Sequence, residues 1–199
     1  MTFQTMSLAQ YQALRGTPEI LEADGHGEKV LRLADDSILK LFRRKRLISS
    51  NIFYPYAQRF ADNAEILLRK GIPAPQVIAL YRIPEISRDV VHYAPVPGIT
   101  LRQKFRENPS PPDLENMRSK ICRFAQFLFD EGIYFRSLHL GNIVELPDGK
   151  FGLIDLSDMK AHRKSLSKYL RKRNVDRMLV KSEPGETAWI DAASILMVR

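Results

Sequence analysis

The chain has 199 residues, a net charge of +8 and a single cysteine. An apolar content of 44% excludes a disordered chain, and the one cysteine excludes a disulfide within the chain. No apolar run approaches the roughly 20 residues that span a bilayer. We therefore expect a globular cytoplasmic protein. If it contacts a membrane, we expect it to do so as a peripheral protein at the inner face of the cytoplasmic membrane.

The positive charge is concentrated in one part of the chain. Residues 160–181 contain nine Lys or Arg residues and one acidic residue, so this segment alone carries the whole net charge. The rest of the chain is electrically balanced. The sequence thus predicts a neutral body with one basic segment.

Three β-strands are predicted from Ile20 to Phe42. A turn at Asp24–Gly27 separates the first two, and a turn at Asp35-Asp36 precedes the third, residues 37–42. Lys40 lies on this third strand and is expected to face away from its apolar neighbours, because successive strand residues point to opposite faces. Taken alone, Lys40 is better explained as a solvated lysine on a strand. The Gly25-x-Gly27 pair is also a weak signal alone, since any hairpin could contain it.

A basic connector at residues 43–46, a candidate anion contact, precedes the main helix of the first half. This helix is predicted to open at Pro55 and to end at Gly71, which fits the preferences of proline for the first turn and of glycine for the end of a helix. Two apolar runs follow, at 77–81 and 90–98. Thr100 is a candidate cap for a short helix.

The second half is predicted to be mostly helical. After the break at residues 108–112, an apolar stripe from Leu114 to Leu128 predicts a long helix that Ser110 could cap and Gly132 ends. Residues 166–178 carry a second helical pattern, and residues 182–199 are expected to form a closing turn and helix.

The stretch between these helices contains the most informative pattern. Two apolar runs flank a Pro147-Asp148-Gly149 turn, which predicts a short hairpin. Asn142 and Asp155 lie at the open end of this hairpin, so a carboxamide and a carboxylate come together. This arrangement is typical of a site that holds Mg²⁺ between a protein and phosphate groups.

The same stretch resembles the catalytic loop and metal-binding segment of the protein-kinase-like fold, above all the compact bacterial lipopolysaccharide core kinases of the Kdo/WaaP type. The family pattern is His-Arg-Asp, four residues, Asn, then a hairpin and Asp-Phe-Gly. This chain has Phe135-Arg136-Ser137, four residues, Asn142, and then Asp155 after the hairpin.

The resemblance implies an α+β, two-lobed fold in a single kinase-like domain spanning 1–199. The N-lobe, at about 18–98, would be a small antiparallel sheet with one main helix, and the C-lobe, at about 99–199, would be reduced and mostly helical. It also implies ATP and Mg²⁺ as cofactors. Lys40, Gly25 and Gly27 would bind phosphates, and Asn142 and Asp155 would bind the metal.

Ser137 stands where the family has its catalytic aspartate. A neutral serine cannot take the proton of an acceptor hydroxyl, so another group would have to do so or transfer would be slow. His139 and Asp158 are the nearest titratable substitutes, although His139 could equally be a hydrogen-bonded loop histidine. Arg136 is expected to organise the loop or a phosphate.

Three functions are compatible with these residues. The first is a kinase-like transferase that phosphorylates, or assists the phosphorylation of, a lipopolysaccharide-core sugar, with a glycolipid or phosphorylated sugar as acceptor. The second is a catalytically silent pseudokinase that regulates a partner. The third is a nucleic-acid-associated basic protein, ranked last because only Tyr169 interleaves the charges. The basic segment 160–181 could accordingly be a solvated surface, contact an anionic membrane or glycolipid, or bind nucleic acid.

Overall fold

The fold is α+β, as predicted, and we describe it from a computed structural model over residues 1–44 and 54–197. Residues 45–46 of the basic connector lie outside the described residues. The chain divides into two compact units. The first comprises Met1–Leu68 and Ala74–Pro95, and the second comprises Arg69–Pro73 and Val96–Arg199.

In its described residues, the first unit is built on a six-stranded sheet with two helices. Its elements are β1 (Phe3–Thr5), α1 (Leu8–Arg15), β2 (Glu19–Asp24), β3 (Gly27–Arg32), β4 (Ile38–Arg43), α2 (Tyr56–Arg69), β5 (Gln76–Ile83) and β6 (Arg88–Ala94). The strand order is β1-β5-β6-β4-β3-β2. The predicted succession of three strands is therefore present as β2, β3 and β4. The helix predicted from Pro55 is also present as α2.

The sheet is mixed, which corrects the expectation of a purely antiparallel one. β1 adds to the edge of β5 in parallel, with Phe3 opposite Leu80, whereas all other neighbouring strands are antiparallel. A three-residue strand is too short to show the alternation from which strands are predicted. Helix α1 follows this short strand along the chain.

Helix α1 covers one face of this sheet. Ser7 caps it, accepting a hydrogen bond from the backbone N–H of Gln10, and Tyr11 packs into a cluster that includes Leu39 and Leu41. Lys40 lies between Leu39 and Leu41 on β4 and therefore belongs to the other face of the sheet, as expected. Phe42 is on the same face as Lys40, and its ring stacks on Tyr56 at the start of α2. The Lys40 Nζ lies 5.9 Å from the centroid of the Phe42 ring.

The second unit contains four helices and two small sheets. Its elements are β7 (Ile99–Thr100), α3 (Leu101–Glu107), α4 (Leu114–Asp130), β8 (Ile133–Phe135), β9 (Ile143–Glu145), β10 (Phe151–Leu153), β11 (Met159–Ala161), α5 (Lys168–Val180) and α6 (Ala192–Leu196). β7, β9 and β10 form one antiparallel sheet, and β8 and β11 form the other. Thr100 caps α3 as predicted.

The cap predicted for α4 is wrong. The cap position is Asp113 rather than Ser110, because the chain first makes a turn in which Leu114 N–H donates to the Pro111 carbonyl. The helix gives way to β8 at Gly132, where φ is +76° and a Cβ would lie 2.5 Å from the carbonyl oxygen of His162. Only glycine fits this position, and it lets the segment after β11 close tightly over the start of β8.

Candidate active site

The predicted hairpin is present in the second unit. β9 and β10 pair with Ile143 opposite Leu153, and the turn closes through the Leu146 N–H and the Lys150 carbonyl at 2.9 Å. Gly149 has φ +77°, a conformation that glycine adopts without steric cost. The Pro-Asp-Gly sequence thus makes the turn that its residue types predicted.

The open end of the hairpin brings Asn142 and Asp155 together along the backbone. The N–H of Ile154, the neighbour of Asp155, donates to the Asn142 carbonyl at 3.1 Å. Asn142 is buried, and its Nδ2 donates to the Ser137 carbonyl at 2.9 Å. Because the amide nitrogen is used in this way, the amide oxygen is the atom of Asn142 suited to a cation.

Asp155 has an uncommon backbone conformation. Its φ and ψ are 56° and 53°, in the left-handed region, and the residue is exposed. Non-glycine residues in this region carry strain of about 1 kcal/mol or more, and such residues cluster at functional sites. An exposed carboxylate and an amide oxygen fit Mg²⁺, which usually takes one or two protein ligands and completes its shell with phosphate and water. The described residues hold no group of three or more His, Cys, Asp or Glu side chains arranged for a metal, so a fuller protein shell is not offered there.

A carboxylate lies beside Ser137. The Ser137 hydroxyl donates to Asp158 Oδ2 at 2.6 Å and accepts a hydrogen bond from Lys181 Nζ at 2.9 Å. The second oxygen of Asp158, Oδ1, is buried and has no hydrogen-bond partner among the described residues. Ser137 therefore stands between the side chain of an aspartate and the side chain of a lysine.

The pairing of β8 with β11 explains how Asp158 reaches Ser137. Phe135 is opposite Met159 in this antiparallel pair. The chain leaves β8 at Phe135 and reaches Ser137 two residues later, while Asp158 immediately precedes Met159 on the partner strand. Antiparallel neighbours of this kind are within side-chain reach. The sequence pattern identified Asp158 as one substitute for the missing aspartate but did not predict this strand pairing.

Helix α5 brings Lys181 to the same place. Asn174, fully buried on α5, accepts from the Phe135 N–H at 2.9 Å and donates to the Phe135 carbonyl at 2.8 Å. The strand that leads into Ser137 is thus the strand on which α5 is anchored. Lys181 follows the last turn of α5, and Arg102 donates to its carbonyl at 2.9 Å. Sequence reasoning counted Lys181 only as one of the basic segment's charges.

His139 lies in the loop between β8 and β9. Burial, together with the nearby positive charges of Arg102 and Lys181, lowers its pKa from 6.5 to about 4. Its Nδ1 accepts from the Gly141 N–H at 3.1 Å, which leaves the proton of the neutral ring on Nε2. In this tautomer neither ring nitrogen is placed to take a proton from an acceptor. The geometry favours Asp158 over His139 as the substitute base.

The remaining predicted residues are placed as follows. Arg136 is exposed, directly before Ser137. Lys40, Gly25 and Gly27 belong to the first unit, Lys40 on β4 and the two glycines at the exposed turn between β2 and β3. A Cβ at either glycine would meet no atom within 4 Å, so the space beside this turn is open.

The basic segment is not a uniform charged surface. Arg171 is 5% exposed, and its guanidinium donates to Asp130 Oδ1 and to Ser165 Oγ, both at 2.6 Å. Lys172 pairs with Asp176 on the same helix. The exposed cations include Lys160, Arg163, Lys164, Lys168 and Arg173.

Comparisons with known proteins leave the family open. No protein-family model matches the chain, and no curated protein is similar enough to count as a match. Among residues 1–44 and 54–197, no helix has both the length and the apolar character needed to cross a membrane. The resemblance to kinase-like proteins accordingly rests on the residues and geometry described above, and we carry it forward as a proposal.

Proposed function

We propose that this chain is an ATP-binding protein of the protein-kinase-like fold that phosphorylates, or assists the phosphorylation of, a sugar of the lipopolysaccharide core. The observation that carries the proposal is the Asp158 carboxylate held 2.6 Å from the Ser137 hydroxyl, next to the hairpin that joins Asn142 to Asp155. Ser137 replaces the family's catalytic aspartate, and Asp158 returns a carboxylate to that position from a different strand.

Each group has a chemical task in this proposal. Mg²⁺ bound by the Asn142 amide oxygen and the Asp155 carboxylate would neutralise charge on the transferred phosphoryl group. Asp158 would accept the hydrogen bond, and then the proton, of an acceptor hydroxyl. The resemblance assigns Lys40, Gly25 and Gly27 to phosphate binding.

The exposed cations around the start of α5 support an anionic partner surface. Lys164, Lys168 and Arg173 are exposed, and each basic side chain near an anionic lipid surface contributes about 1 kcal/mol. We therefore propose that a membrane-bound glycolipid or a phosphorylated sugar approaches this part of the second unit. Nucleic acid is the lesser alternative.

A pseudokinase is the second candidate function. One observation favours it: Asp158 Oδ2 already accepts a hydrogen bond from Ser137, so this oxygen is engaged within the protein. A pseudokinase would bind Mg²⁺ and ATP without passing the phosphoryl group to any acceptor.

Transfer of labelled phosphate to delipidated lipopolysaccharide core tests the proposal. The wild type is expected to label the core in the presence of Mg²⁺, and Asp155→Asn is expected to remove the labelling, since it takes away the charged metal ligand. Asp148→Asn, at the exposed turn of the same hairpin, is the matched control and should transfer like the wild type. Nucleotide binding without labelling of the core would favour the pseudokinase.

A further inference from the structure

We propose that Ser137 is itself a phosphate acceptor: its hydroxyl, held between the Asp158 carboxylate and the Lys181 ammonium group, takes the γ-phosphoryl group of ATP to give a phosphoserine. This inference rests on the proposed nucleotide site. It adds a self-phosphorylation that the proposed transfer to a sugar does not require.

The hydrogen bonds of Ser137 are those of an activated nucleophile. The hydroxyl proton points to Asp158 Oδ2 at 2.6 Å, a distance typical of a charge-assisted O–H···O⁻ bond. A serine becomes nucleophilic when an adjacent base can remove this proton. Lys181 Nζ lies 2.9 Å from the same oxygen and would stabilise the negative charge that develops on it.

Asp158 has a second oxygen besides the one that Ser137 engages. Its Oδ1 is buried and has no hydrogen-bond partner among the described residues. The carboxyl group therefore offers a second acceptor position close to the serine hydroxyl.

The position of Ser137 favours attack on a phosphoryl group rather than on another electrophile. Its own carbonyl is held by Asn142 Nδ2 at 2.9 Å, so the hydroxyl belongs to the same loop as the proposed metal ligand. The Asn142 carbonyl in turn accepts from the N–H of Ile154, the neighbour of Asp155, at 3.1 Å, so Asn142 connects the backbone of Ser137 with that of the hairpin end at Asp155. A metal-bound phosphate at Asp155 would therefore lie in the neighbourhood of Ser137.

The step balances without any further reagent. The bond from Ser137 Oγ to the γ-phosphorus forms, and the bond from that phosphorus to the oxygen bridging to the β-phosphate breaks. ADP leaves with the electron pair of the broken bond, and the Ser137 proton passes to Asp158. The phosphoserine carries a charge of about −1.5 to −2 at pH 7 and would pair with Lys181.

The test is to incubate the full chain with ATP and Mg²⁺ and to locate the added phosphoryl group by peptide mass spectrometry. We expect it on Ser137 in the wild type and expect its rate of addition to fall about 10²–10⁴-fold in Asp158→Asn, which keeps the shape but not the base. Lys181→Met should also slow it. Ser182→Ala is the matched control, because the Ser182 hydroxyl donates to the Met178 carbonyl instead, and it should behave like the wild type.

A second readout needs no nucleotide. A fluorophosphonate probe should label Ser137 in the metal-free protein and label it more slowly in Asp158→Asn. Failure of this labelling would overturn the claim that Asp158 and Lys181 activate the serine before nucleotide binds.

Calorimetry on the same samples separates this inference from the proposed function. Bound Mg²⁺·ATP with no phosphate on Ser137, or with phosphate on another residue, would overturn the inference and leave the nucleotide site standing. Absence of nucleotide binding would overturn both. Each variant is assayed at a temperature at which its melting curve shows that it is folded. A loss of phosphorylation then cannot be caused by unfolding.

Discussion

At the scale of single residues, Asp158 illustrates how a side chain can replace another from a different part of the backbone. The aspartate expected after Arg136 is a serine, yet a carboxylate reaches the serine hydroxyl at 2.6 Å because β11 runs alongside β8. A hydroxyl group that receives a phosphoryl group needs a base within hydrogen-bonding distance. This base can come from any strand that places it there. Under the proposed function, Asp158 would therefore supply the proton acceptor that Ser137 cannot.

Asp158→Asn is expected to lower the rate of phosphoryl transfer to a sugar by about 10²–10⁴-fold and to leave ATP affinity unchanged, because only the base is removed. Labelled ATP with delipidated lipopolysaccharide core measures the first, and calorimetry measures the second. His139→Asn should transfer at nearly the wild-type rate if Asp158 is the base. A larger loss in His139→Asn than in Asp158→Asn would instead identify the imidazole as the base.

His139 is also expected to make the fold acid-sensitive. Its pKa is lowered in the folded chain to about 4 from 6.5, first by burial and then by Arg102 and Lys181. The neutral ring is therefore favoured by folding. Its contribution to stability is complete above about pH 6.5 and is lost as the pH falls from 6.5 towards 4.

His139→Asn should remove this part of the acid sensitivity, since the asparagine Oδ1 can still accept the Gly141 N–H and cannot be protonated at these pH values. The measurement is the free energy of unfolding in urea at several pH values between 4 and 7. The two proteins contain the same carboxylates, so the difference between the two curves reports mainly on His139. Parallel curves would contradict a lowered pKa.

At the scale of elements, the docking of α5 on β8 determines where Lys181 lies. Asn174 makes the two hydrogen bonds to the backbone of Phe135 and is fully buried. Arg171, one turn earlier, anchors the same helix to Asp130 and lies over the Phe129 ring. The most basic of the described helices is thus held by polar contacts that point inward.

Asn174→Ala is expected to lower the free energy of unfolding by about 2 kcal/mol or more, because it leaves two buried backbone groups without partners, at about 1–3 kcal/mol each. Urea unfolding followed by circular dichroism measures the change. Arg173→Ala, at an exposed position next to it on α5, is the control and should stay within about 0.5 kcal/mol of the wild type. Equal stabilities for the two variants would show that Asn174 does not anchor the helix.

The exposed cations of the basic segment are expected to bind anionic vesicles. Changing Lys164, Lys168 and Arg173 to Glu should weaken binding, and wild-type binding should fall as salt is added. Arg171 is left unchanged in this variant, since its own side chain is buried and contacts Asp130 and Ser165 rather than the surface. Vesicle co-sedimentation measures the effect.

The control for that experiment reverses three exposed charges outside the segment, Arg32, Arg123 and Lys150. Both variants have the same net charge, so a difference between them reports location. Equal binding by the two variants would show that only the net charge matters. Tighter binding to nucleic acid than to lipid would favour the nucleic-acid alternative.

The sequence predicted those elements whose signals are local. The hairpin at residues 143–153, the helix from Pro55 and the Thr100 cap each depend on residue types within a few positions of each other. The partnership of Ser137 with Lys181 links residues 44 positions apart, which no periodicity reports. β1 was missed for the related reason that a three-residue strand is defined by its neighbour rather than by its own pattern.

At the scale of the whole molecule, the chain consists of two units that each bury a core. In the first, the sheet packs Leu31, Leu39 and Val90 against α1. In the second, the fully buried side chains include Phe129, Phe135 and Trp189, whose Nε1 donates to the Pro109 carbonyl. The charge balance could be predicted from the sequence, but the burial of Arg171 could not, because its partner Asp130 lies on another helix.

The central claim is a metal-dependent nucleotide site at Asn142 and Asp155, and the binding of ATP with and without Mg²⁺ tests it most directly. At a concentration of Mg²⁺·ATP about 100 times its dissociation constant, the free energy of unfolding should rise by about 2.7 kcal/mol and the melting temperature with it. Asp155→Asn keeps the left-handed backbone accessible and should lose the Mg²⁺-dependent part, whereas Asp148→Asn should keep it. No shift with any nucleoside triphosphate at millimolar concentration, or an equal shift in Asp155→Asn, would contradict the account.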